Sequence, residues 1–408
     1  MIGIQRLDVY LYLAGGKHKL GTLATKDKKI YFEYDRAFLA TGIQISPYKL
    51  PLKSGVMRCD DDIFDGIWGV FADSLPDGWG KLLVDRHMKK RGIDPATLTP
   101  LDRLAYAGDY AMGALSYEPS TKIEEPTLKD VILDDLALYT RNIIKGESEE
   151  LVDTLLSLSG SSAGARPKVL VQLSEDQRQI IHSKEKLADG YAHWIVKFAS
   201  SSDNSEIGAI EYAYSLMAKD TGLQMPDTAL LEGKNGRYFA SKRFDRIEEE
   251  RVHMHSVAAL IHSDFRYPTL DYDDLMTLAL HLTKNIQDVE NVFRVACFNL
   301  FSHNRDDHAK NFSFLMNANG EWHFSPAYDL TFSSGPGGEH STMYLGEGKH
   351  PTKEHLEALG KKHQIKNTTN IINEVKDTVA NWSKYANDAG VSKIAQQDIG
   401  KVLEKMTK

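Results

Sequence analysis

The chain has 408 residues, 42% hydrophobic and 26% charged, with a formal charge of −8. Those fractions exclude a disordered, collagen-like or membrane-embedded protein, and the acidic total argues against a chain-wide electrostatic grip on nucleic acid. The last sixty residues differ, with 11 Lys against 7 Asp plus Glu from residue 349 onward, so a local basic contact stays open. At roughly 100–200 residues per domain, the length predicts two or three units.

The start alternates Ile4, Leu7, Val9, Leu11 and Leu13 before Gly15-Gly16. That reads as a strand entering a turn, not as a secretory signal. Two cysteines, Cys59 and Cys297, are too few for a disulfide framework and suit buried thiols in a reducing compartment. No stretch approaches the ~18 consecutive apolar residues of a spanning helix, so a cytoplasmic location without a membrane partner is expected. Ile30 to Tyr34 is another β-rich run. Phe64, Ile67, Trp68 and Phe71 then show helical spacing ahead of a Pro76-Asp77-Gly78 turn, and Trp79 to Arg86 continue helically towards Gly92. This first unit closes near Pro119.

Residues 120–150 are acidic and read as a connector plus a helix. A short helix, Leu151 to Leu158, leads into the small-residue loop Ser159 to Ala165. Strands follow at Lys168–Leu173, His193–Phe198 and Tyr238–Ala240, with a helix from about Glu206 to Asp220 and Gly222 at its end. Beyond 246 the pattern is mostly helical: Leu275–Leu282, Val289–Phe301 and two helices after Pro351. One polar island, His303 to Leu330, interrupts it. The expected fold is α+β and two-lobed, with an N-terminal β-rich subdomain (1–119), a second strand-bearing lobe (120–245) and a mostly helical lobe (246–408).

The island reads His303-Asn304-Arg305-Asp306-Asp307-His308-Ala309-Lys310-Asn311, and Asp329 follows eighteen residues after Asn311. A hairpin around Asn319-Gly320 would return Asp329 to Asn311. Asp, Asn five residues on, then Asp after a hairpin is the layout of a phosphoryl-transfer centre. There the first Asp accepts the hydroxyl proton, and Asn with the second Asp supplies oxygen ligands to Mg²⁺. A solvated turn using Asp and Asn for backbone capping has the same composition. The loop Ser162-Ala163-Gly164-Ala165 followed by Lys168 suits phosphate cradling by backbone N–H groups, or a flexible linker.

Lys197, inside an apolar strand, either lies at an exposed edge or meets an anion. Glu211, fourteen residues later, is its candidate partner, and equally suits the solvated face of its helix. Lys242, Arg243 and Phe244 end a strand where two lobes would meet, as an adenine hinge or as a salt-bridged strand end. His253 and His255 read as structural histidines. The order of these parts, over about 170 residues, is that of a protein-kinase-like fold.

The segments FDGIWGVFADSLPDGWGKLL (64–83), GDYAMGALSYEP (108–119), SSAGARPK (161–168), EYAYSLMAKDTGLQMPD (211–227), KRFDR (242–246), NRDDHAKNFSF and SPAYDL make the chain similar to the HipA-type serine/threonine kinases, toxins of bacterial toxin–antitoxin modules. The resemblance implies ATP and Mg²⁺ as cofactors and Asp306 as catalytic base. It implies Asn311 and Asp329 at the metal, the loop residues with Lys168, Lys197, His308 and Lys310 at the nucleotide, and 242–244 as hinge. It also implies autophosphorylation of a loop serine, Ser161 by position, with Ser159 and Ser162 as neighbouring candidates. A phosphate there adds about −1.5 to −2 charges to a loop meant for ATP phosphates, which suits inactivation. Asp307 stands where some members have a small residue, and Arg166-Pro167 where others have Gln and another residue.

Partners implied are a small helix-turn-helix antitoxin of HipB type, operator DNA through that antitoxin, and a protein substrate such as an aminoacyl-tRNA synthetase, with growth arrest and persistence as outcomes. Two other readings compete. One is a metal-dependent phosphoester hydrolase using His303, Asp306, Asp307 and His308; the other is a non-catalytic co-repressor.

Overall fold

The computed structural model describes residues 3–121, 132–146, 152–159, 164, 166–182, 186–200 and 203–408. The early alternation forms an antiparallel sheet of β1 (Arg6–Leu13), β2 (Gly16–Lys26), β3 (Lys29–Tyr34), β4 (Met57–Arg58) and β5 (Leu115–Glu118), ordered β4-β3-β2-β1-β5. Leu7, Val9 and Leu11 point from one face of β1 into the core, as the period of two requires.

The helix expected over 64–71 is only one turn, Gly69–Ala72. Asp65 and Gly66 take positive φ (56° and 77°) and Trp68 is extended, so irregular backbone buries Ile67 and Trp68, and only Phe71 is buried from the helical turn. Gly69 is pressed against the C-terminal half: a Cβ there would lie 2.0 Å from the Ala259 carbonyl oxygen. Helix α1 (Trp79–Lys90) runs from Trp79 and ends ahead of Gly92, as the spacing predicts. Its Trp79, Leu83, Val84 and Met88 pack into the hydrophobic core of the second sheet.

That sheet is antiparallel: β6 (Lys168–Ser174), β7 (Ile180–His182), β8 (Tyr191–Lys197), β9 (Thr228–Glu232) and β10 (Arg237–Lys242), ordered β7-β6-β8-β10-β9. Helix α2 (Ile207–Asp220) connects β8 to β9. It lies close on β10, where a Cβ on Gly208 would meet the Arg237 carbonyl at 2.5 Å. The C-terminal half is built on α3 (Tyr272–Thr283), α4 (Ile286–Phe301) and a small sheet of β11 (His253–Ser256), β12 (Ser313–Met316) and β13 (Trp322–Phe324). Four helices follow Pro351, not two: Lys353–Lys362, Thr368–Ala380, Trp382–Asp388 and Lys393–Met406. Positive φ at Gln364 and Gly390 and the cap at Asn381 break what reads as continuous periodicity.

One hydrophobic core runs from the first sheet into the C-terminal half, joining Val9, Phe71 and Leu104 to Val257, Phe298 and Phe314. Polar contacts stitch the same seam. Asp73 accepts from His255 Nδ1 (2.8 Å), Ser256 N (2.8 Å) and Ser256 Oγ (2.6 Å). His253 donates from Nε2 to the Ile45 carbonyl at 2.9 Å, and its buried Nδ1 has no partner. Burial, aided by the neighbouring His255, pushes His253 down to about 4. The unfolded chain therefore binds a proton the folded one rejects, so stability is complete above pH 6.5 and falls as pH drops towards 4, by as much as about 3 kcal/mol. Melting temperatures of wild type and His253→Gln between pH 7.5 and 5 test this; an unchanged slope in the variant would rule it out. Among the described residues no helix is long and apolar enough to cross a membrane.

Candidate active site

Helix α4 ends at Phe301, and the loop behind it carries Asp306 and Asn311 into β12. Asp307 anchors that loop. Its fully buried carboxylate accepts from Tyr272 Oη (2.9 Å), His340 Nδ1 (2.9 Å), Ser341 N (2.8 Å) and Thr342 N (3.2 Å). Asp306, next in the chain, is thereby turned the other way, with its side chain half exposed and 4.0 Å from His308 Nε2. Burial, with repulsion from Asp329, holds the Asp306 pKa above the ordinary carboxylate value against the pull of His308 and Arg166. Asn311 spends Nδ2 on the Asp306 carbonyl (2.7 Å), which directs Oδ1 away from that bond.

The β12–β13 hairpin returns the chain to Asp329, held at φ 57° in the left-handed region, a position that costs energy for most side chains and that Asp tolerates. Tyr328 braces the turn by donating to the Lys310 carbonyl at 2.7 Å. Asp329 accepts from Lys197 Nζ at 2.5 Å. Burial alone would raise its pKa, but Lys197 and Lys168 hold it far below the usual range.

Lys197 is not an edge lysine. It ends β8, the central strand, with Lys168 of β6 directly opposite and Phe239 of β10 on its other side. Two lysines opposite one another in an antiparallel pair repel, so the pairing needs anions. Glu211 supplies one: its side chain is only 3% exposed, which rules out a solvated face, and its Oε2 lies 3.3 Å from Lys197 Nζ. Its Oε1 accepts from Arg166, whose Nε also lies 3.4 Å from Asp203. Burial pushes the Lys168 ammonium down to about 8. Gly164 lies over it, at φ 100°, where a Cβ would come 2.6 Å from Nζ.

Three cations and the carboxylates Glu211, Asp203 and Asp329 thus meet where β6, β8, α2 and the Asp329 turn converge. Sequence reasoning misses Arg166 and Asp203 as members; the arginine's place two residues before Lys168 is the available signal.

Several expectations need correction. The N–H groups of Lys242 and Arg243 are taken by the carbonyls of Asp227 and His193, both at 2.8 Å, so they do not offer themselves to a purine edge. Arg243 grips Asp245 through Nε (2.9 Å) and Nη2 (2.7 Å), the salt-bridged strand end, while the Phe244 ring faces Tyr328 with centroids 5.6 Å apart. Ser159 is fully buried; its hydroxyl donates to the Lys168 carbonyl (3.0 Å) and accepts from Trp79 Nε1 (3.0 Å), which removes it as an exposed phosphoacceptor. Ser161, Ser162, Ala163 and Ala165 lie outside the described residues.

The hydrolase cluster does not assemble. Asp307 faces the Tyr272–His340 network, and His303 stacks on Phe332 with centroids 5.2 Å apart. Among the described residues no three His, Cys, Asp or Glu side chains are grouped to hold a metal ion. Asn311 and Asp329 nonetheless suit Mg²⁺, which takes few oxygen ligands from protein. His308 and Lys310 both lie against Phe265: the ring centroids of His308 and Phe265 are 5.7 Å apart, and Lys310 Nζ is 4.1 Å from the Phe265 ring centre.

Comparison with known proteins agrees with this architecture. The HipA N-terminal domain family matches residues 7–118, and the HipA-like C-terminal domain family matches residues 160–382. A chain of the Shewanella oneidensis MR-1 toxin–antitoxin complex of HipA, HipB and operator DNA superposes with a TM-score of 0.69 over 98% of this chain and 95% of that one, at 16% identity. The Sinorhizobium fredii protein named "Putative kinase Y4dM" is 29% identical over 151 residues, and this match spans only 36% of that relative and 34% of this chain. With the C-terminal family alone covering more than half of its length, this chain belongs to the HipA family.

Proposed function

We propose that the chain is an ATP- and Mg²⁺-dependent serine/threonine protein kinase that acts as the toxin of a toxin–antitoxin pair. The observation that carries this reading is Lys197, held at once by Glu211 of α2 and by Asp329. A strand lysine paired with a helix glutamate, beside a metal-binding Asp, positions nucleotide phosphates in kinases.

In this reading Arg166, Lys168 and Lys197 neutralise the polyphosphate, and Asn311 with Asp329 would hold the metal, which offsets negative charge on the phosphates when bound. Asp306 orients the acceptor hydroxyl and takes its proton, with Asn311 keeping the Asp306 backbone in place. The raised pKa of Asp306 brings its basicity closer to neutral pH, where a general base works best. A co-repressor with no chemistry would need none of these groups together.

The proposed partner is a small helix-turn-helix antitoxin that carries the complex to operator DNA, in keeping with the likeness to a HipA chain solved together with HipB and operator DNA. Translation-related proteins such as an aminoacyl-tRNA synthetase are the proposed substrates in the cytoplasm, with growth arrest as the result. Incubating the protein with γ-labelled ATP tests the activity. Mg²⁺-dependent label on protein serine, with one phosphoryl group on the peptide holding Ser161 and Ser162, is expected. Phosphoester hydrolysis without transfer to protein would end the proposal.

The same site sets a pH profile. For kcat/KM of ATP, activity rises with pH as Asp306 ionises, above the ordinary carboxylate range, and falls beyond about 8 as free-enzyme Lys168 loses its proton. Lys168→Met should lose the alkaline limb; a variant that keeps it excludes Lys168 as its source.

A further inference from the structure

The turn between the first sheet and α1 reaches into the site from outside both lobes. Asp77 Oδ2 accepts from Lys310 Nζ at 2.6 Å. Lys310 stands between Asp306 and Asn311 in the chain, and its side chain is mostly enclosed, with the ammonium over the Phe265 ring. A cation–π contact and an ion pair together leave the ammonium little freedom. Asp77 is itself held, since its Oδ1 accepts from Gly78 N at 2.8 Å and its carbonyl accepts from Gly80 N at 2.9 Å. Burial would raise the carboxyl's pKa, but the charge and hydrogen bond of Lys310, with the Gly78 N–H, hold it below the ordinary value, so Asp77 is ionised at neutral pH.

The same turn also grips the phosphate side. Trp79 N donates to the Gly164 carbonyl at 3.1 Å, and Trp79 Nε1 donates to Ser159 Oγ, which in turn reaches the Lys168 carbonyl. The 77–79 turn of the N-terminal subdomain therefore ties Gly164, beside Lys168, to the loop bearing Asp306.

We propose that Asp77 is a positioning residue for phosphoryl transfer: through Lys310, and with Trp79 holding Gly164, it sets the placement of the catalytic loop against the phosphate loop. This rests on the kinase reading above. Asp77 touches no reacting atom in this scheme; it fixes a lysine that stands between Asp306 and Asn311 in the chain. The N-terminal subdomain then forms part of the catalytic apparatus, and a ligand that pulls the 76–79 turn away would slow the reaction without occupying the nucleotide site.

The test compares wild type, Asp77→Asn, Asp77→Glu, Lys310→Ala and the double variant Asp77→Asn/Lys310→Ala in steady-state transfer from γ-labelled ATP, with binding of a fluorescent ATP analogue measured alongside. Asp77→Asn is expected to lower kcat about 10- to 100-fold, as loss of orientation does, while analogue affinity and KM for ATP move less than about 3-fold. Asp77→Glu should recover most of the rate, and the double variant should be no slower than Lys310→Ala. A purely structural role predicts loss of affinity and melting temperature together with kcat, and additive single effects. That outcome, or a rate in Asp77→Asn equal to or above wild type, overturns the proposal. If Asp77→Asn does not fold, a kcat for Lys310→Ala equal to that of wild type would overturn it equally. Failure of the kinase reading is distinguishable, because wild type itself would then transfer no label.

Discussion

Asp306→Asn is expected to lower kcat for phosphoryl transfer by about 10²–10⁴-fold, the range general base catalysis supplies. Nucleotide affinity should stay within a few-fold of wild type, because the residues proposed to meet the phosphates, Arg166, Lys168 and Lys197, belong to a different cluster. The fold should also survive, since the carboxylate is half exposed and the His308 imidazole beside it is 4.0 Å away. Quench-flow or steady-state transfer, with analogue binding and a melting curve on the same preparation, checks all three. A variant retaining more than about a tenth of the rate would remove Asp306 from the role of base.

The adjacent carboxylate predicts the opposite pattern. Asp307→Ala strips the acceptor from Tyr272, His340 and the N–H groups of Ser341 and Thr342, all in a dry interior. Unpaired buried donors are costly, and we expect a loss of about 3–5 kcal/mol of stability. Asp307→Asn keeps an oxygen acceptor and should cost less, about 1–3 kcal/mol. Urea titration followed by Trp fluorescence reads both. An alanine variant that unfolds at the wild-type midpoint would show that the network contributes specificity of shape and not stability. In the proposed reading one Asp serves chemistry and its neighbour serves architecture, since Asp306 is half exposed while Asp307 is fully enclosed.

Residues near each other in the chain are the ones a sequence reading can place. Glu211 on its helix, Asp306 and Asn311 on one loop, and Asp329 behind a hairpin all follow from local periodicity and turn chemistry. Lys197 keeps both an edge and a buried alternative open in the sequence, because strand order, which makes β8 central, is a long-range property. The same limit hides Arg166 on Glu211 and Asp77 on Lys310, the latter pair 233 positions apart. The failed helix at 64–71 has a local cause: apolar spacing of i, i+3, i+4 and i+7 does not reveal that Asp65 and Gly66 turn left-handed. At the hinge, the Arg243–Asp245 pair forms the salt-bridged strand end, and the N–H groups of Lys242 and Arg243 are already spent on Asp227 and His193.

Gly69 has a consequence for how this protein tolerates change. With the Ala259 carbonyl 2.0 Å from where a Cβ would sit, the smallest possible enlargement has to move a backbone, not a side chain. Both segments belong to short helices buried in a shared core, so neither can retreat into solvent. Position 69 is thus closed to every residue that carries a Cβ, and any gradual drift at this seam must take place around it. A library screen that randomises residues 67–71 should return glycine at this position in almost every folded clone, while its neighbours exchange among apolar types.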